Sequence, residues 1–184
     1  MVMIEVELVG VTMDNTANTP VVVLRELSNP PDVDSGSDAS PEPDRRRSIS
    51  IFIGAPEATA IAFALEHINP PRPLTHDLMV DLLVKLGIGV TRIVITEIHD
   101  ATFYAELHLS HGGSEFVISC RPSDALALAA RVCCGLFVTE AVIDEAGVLP
   151  MSEEDLAMDP GDPDEMVEEF RQFIDSINPD DFAL

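Results

Sequence analysis

The sequence predicts an α+β fold: one domain, built on a mostly antiparallel sheet with several packed helices. Three observations support this. Several stretches alternate apolar and polar residues at the strand period of two. Three junctions carry the residues that start helices, a proline or hydroxyl with an acid, ahead of apolar runs. Two of the connections between strands are short enough only for hairpins.

Met1 to Val11 reads as the first strand, with Ile4, Val6 and Leu8 on one face and Glu5 and Glu7 on the other. Asp14 to Asn18 is turn chemistry, and Pro20 to Leu27 is its hairpin partner. From Ser28 to Ser48 the chain turns to Pro, Ser and Asp, too polar to offset the entropy of ordering, and a mobile insertion is expected. Its Arg45, Arg46 and Arg47 could touch phosphate, but the flanking acids favour a self-neutralising solvated loop. Ile49 to Gly54 resumes the sheet, and Pro56 opens an Ala-rich helix running to Ile68. After Pro70–Pro73 a second helix starts at Thr75, the expected N-cap, with Asp77 in its first turn and Gly87 at its end. Strands Thr91–Ile98, Thr102–Leu109 and Glu115–Cys120 follow as a meander through His99–Ala101 and His111–Gly113. Arg121-Pro122-Ser123-Asp124 caps a third helix. A short apolar segment, Leu136 to Val138, precedes a helix ending near Gly147.

The domain is thus expected over residues 1–150, with 151–184 as an acidic tail. In that tail Met166, Val167, Phe170, Phe173, Ile174 and Ile177 fall at helical spacing, predicting an amphipathic helix at about 164–177. Its acidic polar face would be repelled by anionic lipid, so it is not read as a membrane anchor. The start of the chain has neither a basic segment nor a long apolar run, so neither a signal peptide nor a membrane span is expected. Three cysteines, Cys120, Cys133 and Cys134, make no even framework and fit reduced thiols in a cytoplasmic protein.

Charge narrows the function classes. Asp and Glu number 33 against 10 Lys and Arg, a formal net charge of −23. From Glu140 onward there are 15 acids and one base, Arg171, so that part of the chain carries −14 of that charge. With a single lysine, Lys85, the chain can release few counterions, which argues against tight nonspecific binding of nucleic acid. Transient contact with a single strand through local arginines stays open.

Chemistry could gather at two similar junctions, Pro73–Asp77 and Arg121–Asp124. Capping alone accounts for Thr75, Ser123 and the aspartates. The same geometry offers backbone N–H groups to an anion, and His76 can carry protons near neutral pH. Strand residues Tyr104, Glu106 and His108 share one face, opposite Phe103, Ala105, Leu107 and Leu109; a wet sheet face is the plainer reading. Asp124 and Arg131 share a face of the third helix, and Glu57 lies in the first turn of its own helix. Phosphodiester hydrolysis needs a stabilised phosphoryl centre and an activated nucleophile. Asp77, Asp124, Glu57 and Glu106 with His76 form the set that could supply both, with Mg²⁺ or Mn²⁺ held by Asp77, Asp124 and Glu57. No H-E-x-x-H, Walker or G-x-S-x-G motif is present.

Four segments carry a resemblance: GAPEATAIAFALE (Gly54–Glu66), PPRPLTHDLMVDLL (Pro70–Leu83), ATFYAELHL (Ala101–Leu109) and RPSDALALAARV (Arg121–Val132). In this order they resemble the bifunctional nuclease domain family, and FRQFIDSINPDDF looks like the C-terminal extension of its actinobacterial members. The resemblance implies hydrolysis of RNA and DNA, an α+β fold and self-association. It puts Thr75, His76 and Asp77 in a first signature, Tyr104 and Glu106 in a strand signature, and Arg121, Ser123 and Asp124 in a third. On this reading His76, Asp77, Glu106 and Asp124 are catalytic, and Thr75, Tyr104, Arg121, Ser123 and Arg131 bind substrate. The alternative is a noncatalytic regulatory or assembly protein that self-associates and holds a partner through its acidic tail.

Overall fold

The alternating N-terminal stretch forms strand β1 (Met3–Asp14), paired antiparallel with β2 (Thr19–Glu26) from Val6 opposite Glu26 to Asp14 opposite Thr19. The computed structural model describes residues 2–14, 17–27 and 46–149. The chain divides into two units, Met1–Pro150 and Met151–Leu184, and the second, with the expected tail helix, lies outside the described residues. So do residues 28–45 of the expected insertion. Its last three residues are described: Arg46 pairs with Glu7, Arg47 pairs with Glu26 and Asp144, and Ser48 opens the next strand.

After β3 (Ser48–Phe52) come helices α1 (Ala55–Leu65) and α2 (Thr75–Lys85). The meander β4 (Gly89–His99), β5 (Thr102–His111) and β6 (Ser114–Cys120) follows. Helix α3 (Pro122–Val132), strand β7 (Gly135–Thr139) and helix α4 (Glu140–Ala146) complete the described order. The sheet runs β3-β2-β1-β7-β4-β5-β6. Among the described residues every strand pairing is antiparallel except β4 with β7, where Arg92 aligns with Gly135 and Ile95 with Val138.

Helix α1 stops at Leu65, short of the expected Ile68. His67 takes a left-handed backbone (φ 54°), and Ile68 N–H donates back to the Phe63 carbonyl, which closes the helix as a Schellman turn. Thr75 is not the N-cap of α2. Leu74 holds that position, and the Asp77 carboxylate accepts its N–H at 2.8 Å. Gly87 (φ 68°) ends α2 as expected, with Ile88 N–H bonded to the Leu83 carbonyl.

Helix α3 is the centre of the core. Ala125 through Ala129 are all buried, and the small side chains of the three alanines among them suit the close packing of α1 on α3. Ile93, Ile95, Ala105, Leu107 and Leu109 from the meander join Val22, Leu24, Ile49 and Ile51 and the helices in one cluster. Side chains such as Leu126, Leu128 and Ile61 each stabilise the fold by about 1.5–3 kcal/mol through burial. Ile51 and Phe52 of β3, with Ile53 just after it, and residues 102–103 of β5 line one cavity although four strands lie between them in the sheet, so the sheet curls around α3.

Candidate functional site

Three helices begin at the same place. Pro56 and Glu57 of α1, Pro73 to His76 leading into α2, and Arg121 and Asp124 of α3 line a cavity of about 660 Å³. Each start carries a proline, which fixes the entering backbone and needs no hydrogen-bond partner for a missing N–H.

The side chains in this cavity form one chain of contacts. His76 Nε2 lies 3.2 Å from Asp124 Oδ1. Arg121 donates from Nε to Asp124 Oδ2 at 2.8 Å, and from Nη2 to Asp124 Oδ1 at 3.0 Å and Glu57 Oε1 at 2.8 Å. Its hydrogen bonds hold the Asp124 carboxyl below the usual carboxylate range, against the upward push of burial. An ionised Asp124 cannot donate, so the proton shared with His76 belongs to Nε2–H, and in a neutral imidazole the lone pair is then on Nδ1. Glu57 reaches Arg121 because Gly54 leaves room. A Cβ at Gly54 would collide with the Glu57 carboxylate.

The other expected site residues are placed elsewhere. Asp77 turns away from this cavity and accepts from Arg131 Nε at 2.5 Å, and both line a smaller pocket with His67 and Cys133. Burial pushes Asp77 upward, but the Arg131 and Leu74 hydrogen bonds outweigh it and leave the carboxyl below its ordinary value. Arg131 also donates to the Ala60 and Ala127 carbonyls, so this arginine ties α3 to both α1 and α2. Glu106 and Tyr104 lie on the opposite face of β5 from the buried Ala105 and Leu107. There Glu106 meets His108 at 3.2 Å, and His108 meets Arg92 at 3.1 Å. The sequence separated the two faces of β5 and favoured the polar one as the wet face, and Tyr104 is exposed on it. Arg92 was missed, since it joins Glu106 and His108 only through the strand register.

The expected Mg²⁺ or Mn²⁺ ligands do not converge as they stand. Glu57 and Asp124 share Arg121 while Asp77 bonds Arg131, and among the described residues no three His, Cys, Asp or Glu side chains are grouped to hold an ion.

A second cavity, of about 320 Å³, lies on the other side of Arg121. It is lined by Phe52, Phe103 and Ser123 among others. The sequence offered Ser123 as part of a capping motif and, through the family resemblance, as a substrate-binding residue, but not this cavity, because its walls come from distant strands.

No helix of the described residues is long and apolar enough to cross a membrane. The chain is 37% identical over 178 residues to the "Uncharacterized protein MT1877" of Mycobacterium tuberculosis (strain CDC 1551 / Oshkosh), with 97% of each chain covered. The "Uncharacterized protein Rv1829" of Mycobacterium tuberculosis (strain ATCC 25618 / H37Rv) matches with the same identity and coverage. The profile of the bifunctional nuclease domain matches residues 41–150, a span that holds all three converging helix starts. This chain therefore belongs to the bifunctional nuclease domain family.

Proposed function

We propose that this protein hydrolyses phosphodiester bonds in RNA or DNA at the cavity where α1, α2 and α3 begin. The observation that carries the reading is the His76–Asp124–Arg121 chain, an imidazole oriented by a carboxylate beside a guanidinium. Asp124 fixes the tautomer of His76, and Nδ1 takes a proton from the attacking water as general base; the water oxygen bonds to phosphorus, the P–O bond to the departing strand end breaks, and its oxygen takes a proton from solvent. Arg121 stabilises the charge that develops on the phosphoryl oxygens, and the N–H groups at the start of α2, from Thr75 on, add to that field. Glu57 accepts from the same Nη2 of Arg121 that also donates to Asp124, and so helps to hold the guanidinium. Asp77 and Arg131 act as positioning residues, because they fix α2, and so His76, against α3. No step is routed through a divalent ion, since the carboxylates are engaged by arginines.

Incubating the purified full chain with labelled single-stranded RNA and DNA tests this. His76→Ala or Arg121→Ala is expected to slow cleavage by about 10²–10⁴-fold, the range for removing a general base or an electrostatic stabiliser. An unchanged rate in both variants would assign the cleavage to a contaminant.

A second reading, self-association, has its own observation. Leu74, Leu78, Leu82 and Leu86 are all exposed at four-residue spacing along α2, and α2 buries only His76. On β6, an edge of the sheet, Phe116, Val117 and Ile118 are exposed as well. In a chain of net charge −23 these are exposed apolar side chains on neighbouring turns and residues, and burial against a second copy would remove them from water.

A further inference from the structure

Arg121 separates two cavities of different character. On one side it faces His76, Asp124 and Glu57. On the other, among the described residues, it is the only charged one lining the cavity of about 320 Å³. We propose that this second cavity receives one unpaired base of a nucleic-acid strand whose phosphate lies at Arg121. The proposal rests on the phosphodiester reading of the neighbouring cavity and narrows its substrate to single strands.

The lining suits a flat, neutral, mostly apolar occupant. Phe52, 58% exposed at the end of β3, and the half-buried Phe103 at the start of β5 offer ring faces on which any base can stack. The chain has no tryptophan and one tyrosine, so two of its eight phenylalanines at a single cavity make a concentrated aromatic surface. Ser123 adds a polar contact. It is only 7% exposed, it lines the cavity, and its hydroxyl bonds no described residue. A hydroxyl that both donates and accepts can meet the edge of any base. The volume lies at the low end of small-molecule pockets, about 300–1,000 Å³, which suits one base and not a base pair. A base held in a duplex is already stacked and paired, so it cannot enter.

The arrangement also answers the charge problem. A strand approaching a surface of net charge −23 gains little from its phosphates, and here the attraction comes from stacking, with a single phosphate contact.

Fluorescence anisotropy with the full chain tests the assignment, using a labelled oligothymidine, the same strand with abasic sites, and a blunt hairpin duplex. The oligothymidine is expected to bind roughly tenfold more tightly than the abasic strand or the hairpin, as a stacked base contributes. Phe52→Ala should weaken the oligothymidine to the abasic level and leave the abasic strand unchanged. Its side chain is exposed, so the fold should survive, with circular dichroism as the check. Ser123→Ala should weaken the oligothymidine and not the abasic strand. Equal binding of oligothymidine and abasic strand, binding of neither, or equal weakening of both by Phe52→Ala would overturn the proposal. The phosphodiester reading fails separately, if His76→Ala cleaves as fast as the parent while the base discrimination persists.

Discussion

Replacing Arg131 with methionine keeps the aliphatic stem and removes the charge that joins three helices. The Ala60 and Ala127 carbonyls lose little, because each already accepts a backbone N–H within its own helix. The cost falls on Asp77. Its Oδ1 loses the guanidinium, while Oδ2 keeps the Leu74 N–H. The Arg131 side chain is 10% exposed and that of Asp77 28%, so this pair lies between two regimes. Surface pairs are worth about 0–1 kcal/mol, and removing one partner of a buried pair costs about 3–5 kcal/mol. Water can reach the stranded carboxylate, which places the expected loss near 2 kcal/mol. In urea denaturation followed by circular dichroism, that is a fall in midpoint of about 1 M for an ordinary denaturant slope. Adding Asp77→Asn should recover part of the loss, since the stranded charge disappears. A cycle of the two changes should then report a coupling of about 0.5–3 kcal/mol. A loss below about 0.5 kcal/mol, within the range of an ordinary surface change, would refute the view that Arg131 ties the helices together.

Further outcomes follow from the same geometry. The carboxyls of Asp77, Asp124 and Glu26 all lie below their ordinary values in the folded chain. The native state therefore binds fewer protons in acid, and stability should be level above about pH 5 and decline below about pH 4, more shallowly in Asp124→Asn. A flat profile down to pH 3 would contradict the hydrogen-bond assignments. Burial, helped by the charges of Asp124 and Glu106, pushes the Cys120 thiol up to about 11, whereas Cys133 is exposed. Iodoacetamide at pH 8 should therefore label Cys133 first and Cys120 last, as read by peptide mass. If α2 and β6 bury their apolar faces against a second copy, Leu82→Lys and Val117→Lys should each lower the mass found by light scattering without lowering the thermal midpoint. A parent chain that is already monomeric would end that reading. Because Arg121 engages Glu57 and Asp124, EDTA is expected to leave strand cleavage unchanged. Full loss restored by Mg²⁺ or Mn²⁺ would mean that Arg121 yields those carboxylates to a cation during turnover.

Most elements could be read from the chain because their signals are local. The meander declares itself through the turns at 99–101 and 111–113, and each of its strands begins or ends within two residues of the expected bounds. Asp100 and Ala101 take left-handed backbones in the first of these turns, as a tight hairpin requires. The meeting of Thr75, His76, Arg121 and Asp124 was legible as two similar junctions, and Glu57 as an acid in the first turn of its helix. What was not legible depends on distant partners. Gly135–Thr139 reads only as a short apolar run, and nothing local says that it pairs parallel with β4. Asp77 looked equivalent to Asp124, yet one faces the cavity and the other faces Arg131, a difference set by how α2 rests on α3.

The position of β7 has a consequence for how the chain is made. Two three-stranded antiparallel groups, β3-β2-β1 and β4-β5-β6, are joined only through this late five-residue segment. Each group can pair its own hydrogen bonds early in synthesis, but the two halves cannot be zipped together until residues 135–139 leave the ribosome. Long-range closure of this kind is slow, and a nascent chain halted before Gly135 would present two raw sheet edges to any neighbour.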